Sequence, residues 1–203
     1  MAARRMGTGI SRRRLGSARP VGLVFAVGVA VTALALAGCG ASQSGAFAWL
    51  HPQPTPSEWK VAQIPSGAEL AYPGSWQLQH GDAGTATAAL LAGDGSFLGY
   101  LNLTPRQGAE TLENWASFRT EHNSEEGDRS VRRLSSATGL RFRNGHGSCV
   151  KDSYATQIGA HFIEIACLVA GPHGETVVVG AAPPDRWSQG SSVLERAIEG
   201  FRA

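Results

Sequence analysis

Two successive strand-like segments, residues 148–156 and 161–170, each carry one cysteine, and this pair constrains the fold more than any other feature. Both segments have the residue types of β-strands, and the short loop TQIGA joins them as a hairpin. A bond between Cys149 and Cys167 requires these two residues to face each other. The pairing register of the whole hairpin follows from that one requirement.

The same register brings two acidic side chains together. It places Asp152 opposite Glu164, and like charges directly opposed on a sheet are destabilising. We expect Arg141 and Arg143 on the preceding strand to neutralise them, with Lys151 on the other face of the sheet. The cluster is interpreted as an arginine-bridged structural feature. The alternative is a small charged site in which a carboxyl has a raised pKa.

The N-terminus has the pattern of an export signal. Six arginines and no acidic residue lie in the first twenty residues, and residues 21–37 form an uncharged apolar stretch. This stretch is slightly shorter than the roughly 20 residues that a membrane-spanning helix needs. Residues 1–38 are therefore predicted to be a signal peptide, and the remaining chain is expected outside the cell.

The end of the apolar stretch, LAGC at residues 36–39, resembles the lipobox of bacterial lipoproteins. The resemblance implies that Cys39 is lipidated and becomes the first mature residue, so that acyl chains hold the protein on the extracytoplasmic face of the cell membrane. An ordinary signal peptide with an incidental cysteine and an uncleaved anchor are the alternatives. Residues 11–16, SRRRLG, are similar to part of a twin-arginine signal, so both export routes stay open.

The remaining cysteines form an even pair once Cys39 is assigned to lipid. Cys149 and Cys167 would then lie in an oxidising compartment, where disulfides persist, and we predict a bond between them. A metal site would need more ligands close together, and the sequence contains no Cys-x-x-Cys, His-x-His or HExxH motif. No metal and no cofactor are expected.

The net charge changes sign when the leader is removed. The whole chain carries +2, but six arginines belong to the leader, which leaves 12 basic and 16 acidic side chains in residues 39–203. An acidic chain argues against a nucleic-acid partner, which requires a basic face. It also argues against adhesion to anionic lipid through charge, so the expected membrane contact is the lipid on Cys39.

The mature chain is predicted to contain a tether and one domain. Residues 39–57 are rich first in Gly and Ser and then in Pro, which predicts a flexible linker that becomes stiff and extended. Trp49 and Leu50 are unusual in a linker, and docking on the domain is one interpretation of them. Residues 58–203 suffice for a single hydrophobic core, and a monomer is expected.

The order of elements predicts an α+β domain with an antiparallel β-sheet. Strand patterns precede and follow an internal helix that contains Trp115, and further strands are expected at residues 129–134 and 140–143. A capping box at Ser192 is expected to begin the C-terminal helix, whose apolar stripe ends at Phe201. Strands in runs with segregated helices favour packing of both helices on the sheet.

Three segments carry a resemblance to a known family: AYPGSWQ at residues 71–77, LNLTP at 101–105, and TVVVGAAPPDRWSQGSSVLERAIEGFR at 176–202. They are similar to the PsbP-like (Mog1/PsbP) α/β/α sandwich, in which a YP..W segment precedes strands and a final helix ends in Phe. The resemblance implies this fold over about residues 68–203 and a binding or assembly role, with no partner carried over. The chain also resembles small actinobacterial lipoproteins of unknown function.

No motif in the sequence assigns an enzymatic activity. No serine has the G-x-S-x-G setting, and neighbouring side chains of GHGSC would point to opposite faces of a strand. A non-catalytic binding or accessory module of the cell envelope, acting on an unknown envelope protein or small ligand, is favoured. It predicts an exposed patch with Tyr100, Trp76 or Trp187. The alternative is a secreted enzyme of unfamiliar type that uses Asp152 and Glu164 in a deep pocket.

Overall fold

The protein is described by a computed structural model over residues 43–203. The predicted signal peptide at residues 1–38, the lipidation site Cys39 and the first residues of the predicted tether lie outside the described residues. Within the described range, no helix is both long enough and apolar enough to cross a bilayer.

A seven-stranded antiparallel sheet forms the centre of the fold. Two strands, β1 and β2, form a separate small sheet, and β3 to β9 form the large one. In chain order, the strands of the described chain are β1 Lys60–Gln63, β2 Glu69–Tyr72, β3 Gln77–Gln79, β4 Ala86–Leu91, β5 Phe97–Pro105, β6 Arg129–Phe142, β7 Gly145–Ala155, β8 His161–Gly171 and β9 Gly174–Ala182. The large sheet has the order β3-β4-β5-β9-β8-β7-β6, and β1 and β2 pair separately. Neighbouring strands are antiparallel throughout, which confirms the predicted α+β class.

Two helices pack on the sheet, one on each face. Helix α1, Trp115–Glu125, packs against β6, β7 and β8, whereas α2, Pro184–Gly200, packs mainly against β9. The central strands β8 and β9 are buried along most of their length, which explains their nearly continuous apolar sequences, IACLVA and TVVVGAA.

The face under α2 carries the larger hydrophobic core. The predicted helix stripe is buried there, with Leu194, Ala197, Ile198 and Phe201 each at most 1% exposed. Gly180 allows the helix to approach the sheet closely, because a Cβ at this position would lie 3.2 Å from the Leu194 Cβ. A larger residue at position 180 would push α2 away from β9.

The predicted disulfide is confirmed and lies inside this core. Cys149 on β7 and Cys167 on β8 are directly paired and bonded, and both are fully buried. The hairpin has the predicted register, so that Asp152 is paired with Glu164 on the opposite face of the sheet. Because side chains alternate along a strand, the cysteines face α2 and the carboxylates face α1.

Two boundaries differ from the expectation. The strands expected at 129–134 and 140–143 are one continuous strand, β6, because bulges absorb its irregular residues and keep it paired with β7. Helix α2 begins at Pro184, eight residues before the expected cap at Ser192. Proline is tolerated in the first turn because its missing N–H would have no helical partner there.

The segment that was expected to be a tether contributes to the folded unit. A 3₁₀ helix, Gln43–Phe47, packs against β6, and Phe47 and Leu50 are buried in the core beneath α2. Backbone hydrogen bonds continue this attachment, since the Gln53 N–H donates to the Glu199 carbonyl oxygen over 3.1 Å. The apolar side chains at 47 and 50 outweigh the Pro-rich composition, so the folded unit already includes Gln43, 15 residues before the expected start at residue 58.

Candidate functional site

The face under α1 is only partly covered. Seven strands spaced about 4.8 Å apart span roughly 29 Å, whereas one helix with its side chains is about 10 Å wide. Helix α1 lies over β6, β7 and β8, and its Trp115 also packs on Val177 and Val179 of β9. Beyond β9, the side chains of Thr87, Tyr100, Asn102 and Thr104 on β4 and β5 are only partly buried. The candidate site lies beside α1, where the part of the sheet that the helix covers meets the partly exposed part.

A buried ion pair lies between α1 and the sheet at this position. Arg119 of α1 makes two hydrogen bonds to Glu164 of β8: Nε donates to Oε1 over 2.7 Å and a terminal nitrogen donates to Oε2 over 2.9 Å. The Glu164 side chain is completely buried, and that of Arg119 is 17% exposed. Such parallel pairing is the strongest geometry available to a carboxylate and a guanidinium.

Local helix geometry places Arg119 over the carboxylates. Trp115, Arg119 and Asn123 are spaced four residues apart and therefore share the face of α1 that meets the sheet. Trp115 fixes the helix position, because its indole N–H donates to the Ala166 carbonyl oxygen over 2.9 Å. Arg119 then lies over β8, the strand that carries Glu164.

Two tyrosines continue the ion pair toward the surface. The Tyr154 hydroxyl donates to Glu164 Oε2 over 3.3 Å and lies 2.9 Å from the hydroxyl of Tyr100 on β5. Burial, and next the charge of Glu164, raises the pKa of both tyrosines well above the usual range. Both hydroxyls therefore keep their protons, so that Tyr100 donates to Tyr154 and Tyr154 donates to Glu164.

Asp152 is the exception in this cluster. It is fully buried, and neither of its carboxyl oxygens has a hydrogen-bond partner within residues 43–203. Burial and then the charge of Glu164 raise the pKa of Asp152 to about 8, although Arg119 opposes the shift. The like-charge conflict between Asp152 and Glu164 is resolved by protonating the first and pairing the second with Arg119.

A groove opens above the tyrosines on the partly exposed part of the face. We call this cavity of about 330 Å³ the sheet-face groove. Its walls combine aromatic, hydroxyl and amide groups with two valines: Phe97, Tyr100, Tyr154, Phe162, Thr87, Asn102, Thr104, Thr156, Val177 and Val179, with Arg119 at the side. A second cavity of about 360 Å³ lies along α1 and shares Thr104, Arg119 and Val177 with it.

The polar wall of the groove is pre-ordered. The Asn102 amide donates to the Thr87 hydroxyl oxygen, and the Thr104 hydroxyl donates to the Asn102 amide oxygen, each over 2.8 Å. These bonds leave one Asn102 amide hydrogen and one Thr87 hydroxyl hydrogen free. The groove can therefore offer fixed hydrogen bonds beside aromatic surfaces, which suits binding of a partly polar molecule.

The arginines expected at the carboxylates lie elsewhere. Glu164 is paired with Arg119, whereas Arg143 donates to the Gly200 carbonyl oxygen over 3.4 Å and Arg141 is exposed opposite His146 on β7. The expected cluster of Arg141, Arg143, Asp152 and Glu164 therefore keeps only its two acidic members. The spacing of Arg119 behind Trp115 was the signal in the sequence that could have identified the partner.

The three aromatic residues expected on an exposed patch have different positions. Tyr100 is half-buried and lines the groove, where its ring contacts Phe97 and Phe162 edge to face. Trp76 belongs to the core and is 7% exposed, so its assignment to a surface patch was wrong. Trp187 is half-buried on α2, with the Lys151 ammonium 4.6 Å above its ring. Lys151 thus lies on the α2 face, as expected.

Comparison with solved structures identifies the fold. The solution structure of the cyanobacterial PsbP protein CyanoP from Synechocystis matches 73% of this chain and 94% of its own, with 12% identity and a TM-score of 0.52. LpqN, involved in cell envelope biogenesis of Mycobacterium tuberculosis, matches 71% of this chain and 89% of its own, with 13% identity and a TM-score of 0.43. The CyanoP likeness shows a PsbP-like α+β fold.

Sequence comparison adds no family. No family model matches the chain, and no curated protein matches it. At 12% identity the structural likeness shows the fold alone, so the function has to be argued from the groove and from the N-terminal sequence.

Proposed function

We propose that this protein is a lipid-anchored, extracytoplasmic lipoprotein that serves the cell envelope as a non-catalytic binding module. The observation that carries the binding role is the sheet-face groove, which has a pre-ordered polar wall and four aromatic side chains. The signal-peptide pattern and the lipobox-like LAGC support the location. The occupant is a small molecule or a segment of an envelope protein.

Burial of the acidic pair favours binding over catalysis. A catalytic carboxylate must reach its substrate, but Asp152 and Glu164 are both 0% exposed, and Glu164 is held by two hydrogen bonds from Arg119. Glu164 instead holds two side chains that line the groove, Arg119 and Tyr154, through hydrogen bonds. Rigid site residues reduce the ordering cost of binding, which suits a module that must hold a ligand.

The lipid anchor is tested by intact-mass analysis of the protein extracted from its own membrane. We expect a chain that begins at Cys39 with added diacylglyceryl mass, and a two-hydrogen deficit from the Cys149–Cys167 bond. The matched variant Cys39→Ala should lose the lipid mass and keep the deficit. An unlipidated wild-type chain that begins elsewhere would contradict the anchor.

The groove is tested by photo-crosslinking in living cells at two positions of similar exposure. Phe97 lies at the groove and is 41% exposed, whereas Val61 on β1 lies outside the groove and is 50% exposed. A photoreactive residue at position 97 should give a discrete adduct, and one at position 61 should not. Equal labelling at both positions would show that the groove has no selective occupant.

An enzyme that uses Asp152 and Glu164 is the second candidate. The raised pKa of Asp152, about 8, keeps a proton on this carboxyl near neutral pH, as a general acid requires. The double variant Asp152→Asn/Glu164→Gln separates the two functions. An intact fold with an unchanged crosslink at position 97 but a lost cellular phenotype would favour the enzyme.

A further inference from the structure

The charged residues of the folded chain are distributed unevenly. Residues 129–143 contain five arginines and no acidic residue, whereas the rest of residues 43–203 contains seven basic and sixteen acidic residues. The net charge of −4 hides this separation. The arginine-rich stretch is strand β6 together with the turn that follows it.

The structure places these arginines along one edge of the large sheet. Strand β6 is the last strand in the order and pairs with β7, and no second strand of the described chain pairs with its outer side. Four of the arginines, Arg129, Arg132, Arg133 and Arg141, are exposed. We call β6 with these four residues the basic edge.

The arginines of the basic edge are free of carboxylate partners. Among the described residues, the ion pairs of the other surface arginines are Arg106 with Glu175, Arg186 with Asp185, Arg196 with Glu199 and Arg202 with Glu69. None of the ion pairs in residues 43–203 includes an arginine of β6. Their charge is therefore available to an external anion.

The basic edge lies beside the start of the described chain. The 3₁₀ helix Gln43–Phe47 packs against β6, and only three residues separate it from Cys39 in the sequence. Four extended residues span at most about 14 Å, so a lipid on Cys39 would keep the start of the folded unit close to the bilayer. The edge beside that start is the basic one.

We infer that the basic edge docks the domain on an anionic bilayer surface, such as one rich in phosphatidylglycerol. Arginines near an anionic surface each add to binding, and their sum adds a second attachment to a lipid anchor. Docking would lay β6 along the membrane. The polar wall of the sheet-face groove, on β4 and β5, would then lie away from the surface, although Tyr154 and Phe162 extend the groove to β7 and β8. The orientation rests on the proposed anchor at Cys39, whereas the affinity for anionic lipid does not.

The test uses residues 40–203 without lipid, because this unit contains all residues of the described cores. Sedimentation with vesicles of 30% phosphatidylglycerol in phosphatidylcholine is compared with sedimentation with pure phosphatidylcholine vesicles. We expect binding to the anionic vesicles alone, weakening at least tenfold when salt rises from about 0.05 to 0.3 M. No binding to anionic vesicles at low salt would overturn the inference, whether or not Cys39 is lipidated in cells.

Two variants with the same net charge isolate the edge. The triple variant Arg129→Gln/Arg132→Gln/Arg133→Gln should reduce vesicle binding about 100-fold. The matched variant Lys60→Gln/Arg106→Gln/Arg186→Gln, which removes three exposed basic side chains outside β6, should change it less than threefold. Equal losses in both variants would show that only net charge matters and would overturn the assigned surface.

A variant that retains the charge keeps the test informative if the glutamine variant does not fold. Charged side chains on an edge strand also prevent pairing between sheets, so the glutamine variant could aggregate. The variant Arg129→Lys/Arg132→Lys/Arg133→Lys keeps the positive charges that attract anionic lipid and prevent edge pairing. It should bind the vesicles within about threefold of wild type. Its loss of binding, or a wild-type unit that binds duplex DNA but not anionic vesicles, contradicts bilayer docking.

Discussion

The two faces of the sheet bury different kinds of side chain. The α2 face is filled by apolar side chains, a disulfide and the segment that contains Phe47 and Leu50. The α1 face buries charge beneath one 11-residue helix and leaves a groove over β4 and β5. One face thus stabilises the fold through close apolar packing, whereas part of the other face forms a pre-ordered polar groove.

The largest effect is expected from breaking the ion pair on the α1 face. Arg119→Met leaves the buried Glu164 carboxylate without a cationic partner, which should lower the free energy of unfolding by about 3–5 kcal/mol. Urea unfolding followed by circular dichroism measures the loss. The double variant Arg119→Met/Glu164→Gln should recover much of it, because a neutral amide can still accept from Tyr154. A double variant as unstable as the single one would contradict the ion-pair explanation.

The disulfide tests the α2 face. Replacement of both Cys149 and Cys167 by alanine should lower the free energy of unfolding by about 3 kcal/mol, the chain-entropy value for a loop of this length. Unfolding midpoints of the oxidised protein, the reduced protein and the double variant give the comparison. We expect the groove crosslink at position 97 to survive, since the bond lies on the other face. Loss of that crosslink without unfolding would show that the two faces are coupled.

The pH dependence of stability tests Asp152. Its pKa is raised from 3.8 to about 8 on folding, so the folded protein binds more protons than the unfolded chain between these values. Its contribution is complete below pH 4 and is lost as the pH rises toward 8, by at most about 1.4 kcal/mol per pH unit. Asp152→Asn should flatten the slope and be more stable than wild type at pH 8–9. Identical pH profiles would contradict a protonated Asp152.

The smallest effect is expected at the rim of the groove. Tyr100→Phe removes the hydrogen bond to Tyr154 but keeps the aromatic wall, and it should cost about 1 kcal/mol. Thermal unfolding measures this cost, and crosslinking at position 97 measures the effect on the groove. A loss above 3 kcal/mol would mean that the tyrosine chain is part of the stabilising core.

Pairwise features of the sheet were predictable from the sequence. The cysteines fixed the register of β7 and β8, because one bond sets every facing pair in a hairpin, and the opposition of Asp152 and Glu164 followed. The partner of Glu164 was not predictable in this way. Arg119 is 45 residues away in sequence and reaches the carboxylate through helix packing, which strand alternation does not describe.

Composition was the weaker guide to surfaces and boundaries. The net charge of the mature chain suggested no attraction to anionic lipid, yet edge position concentrates arginines of β6 where they are exposed. The Pro-rich segment suggested a tether, yet Phe47 and Leu50 attach it to the core. Net charge and composition are averages over many residues. They do not say which charged and apolar side chains face the solvent.

By itself, the sequence determined the α+β class, the disulfide and the facing pair of carboxylates, because local periodicity and one covalent constraint fix strands and their register. Only the tertiary structure decided which residue neutralises Glu164, why Asp152 stays protonated, and that a groove opens on one face of the sheet. These depend on where a short helix lies across a wide sheet, and that position is set by packing between residues distant in sequence.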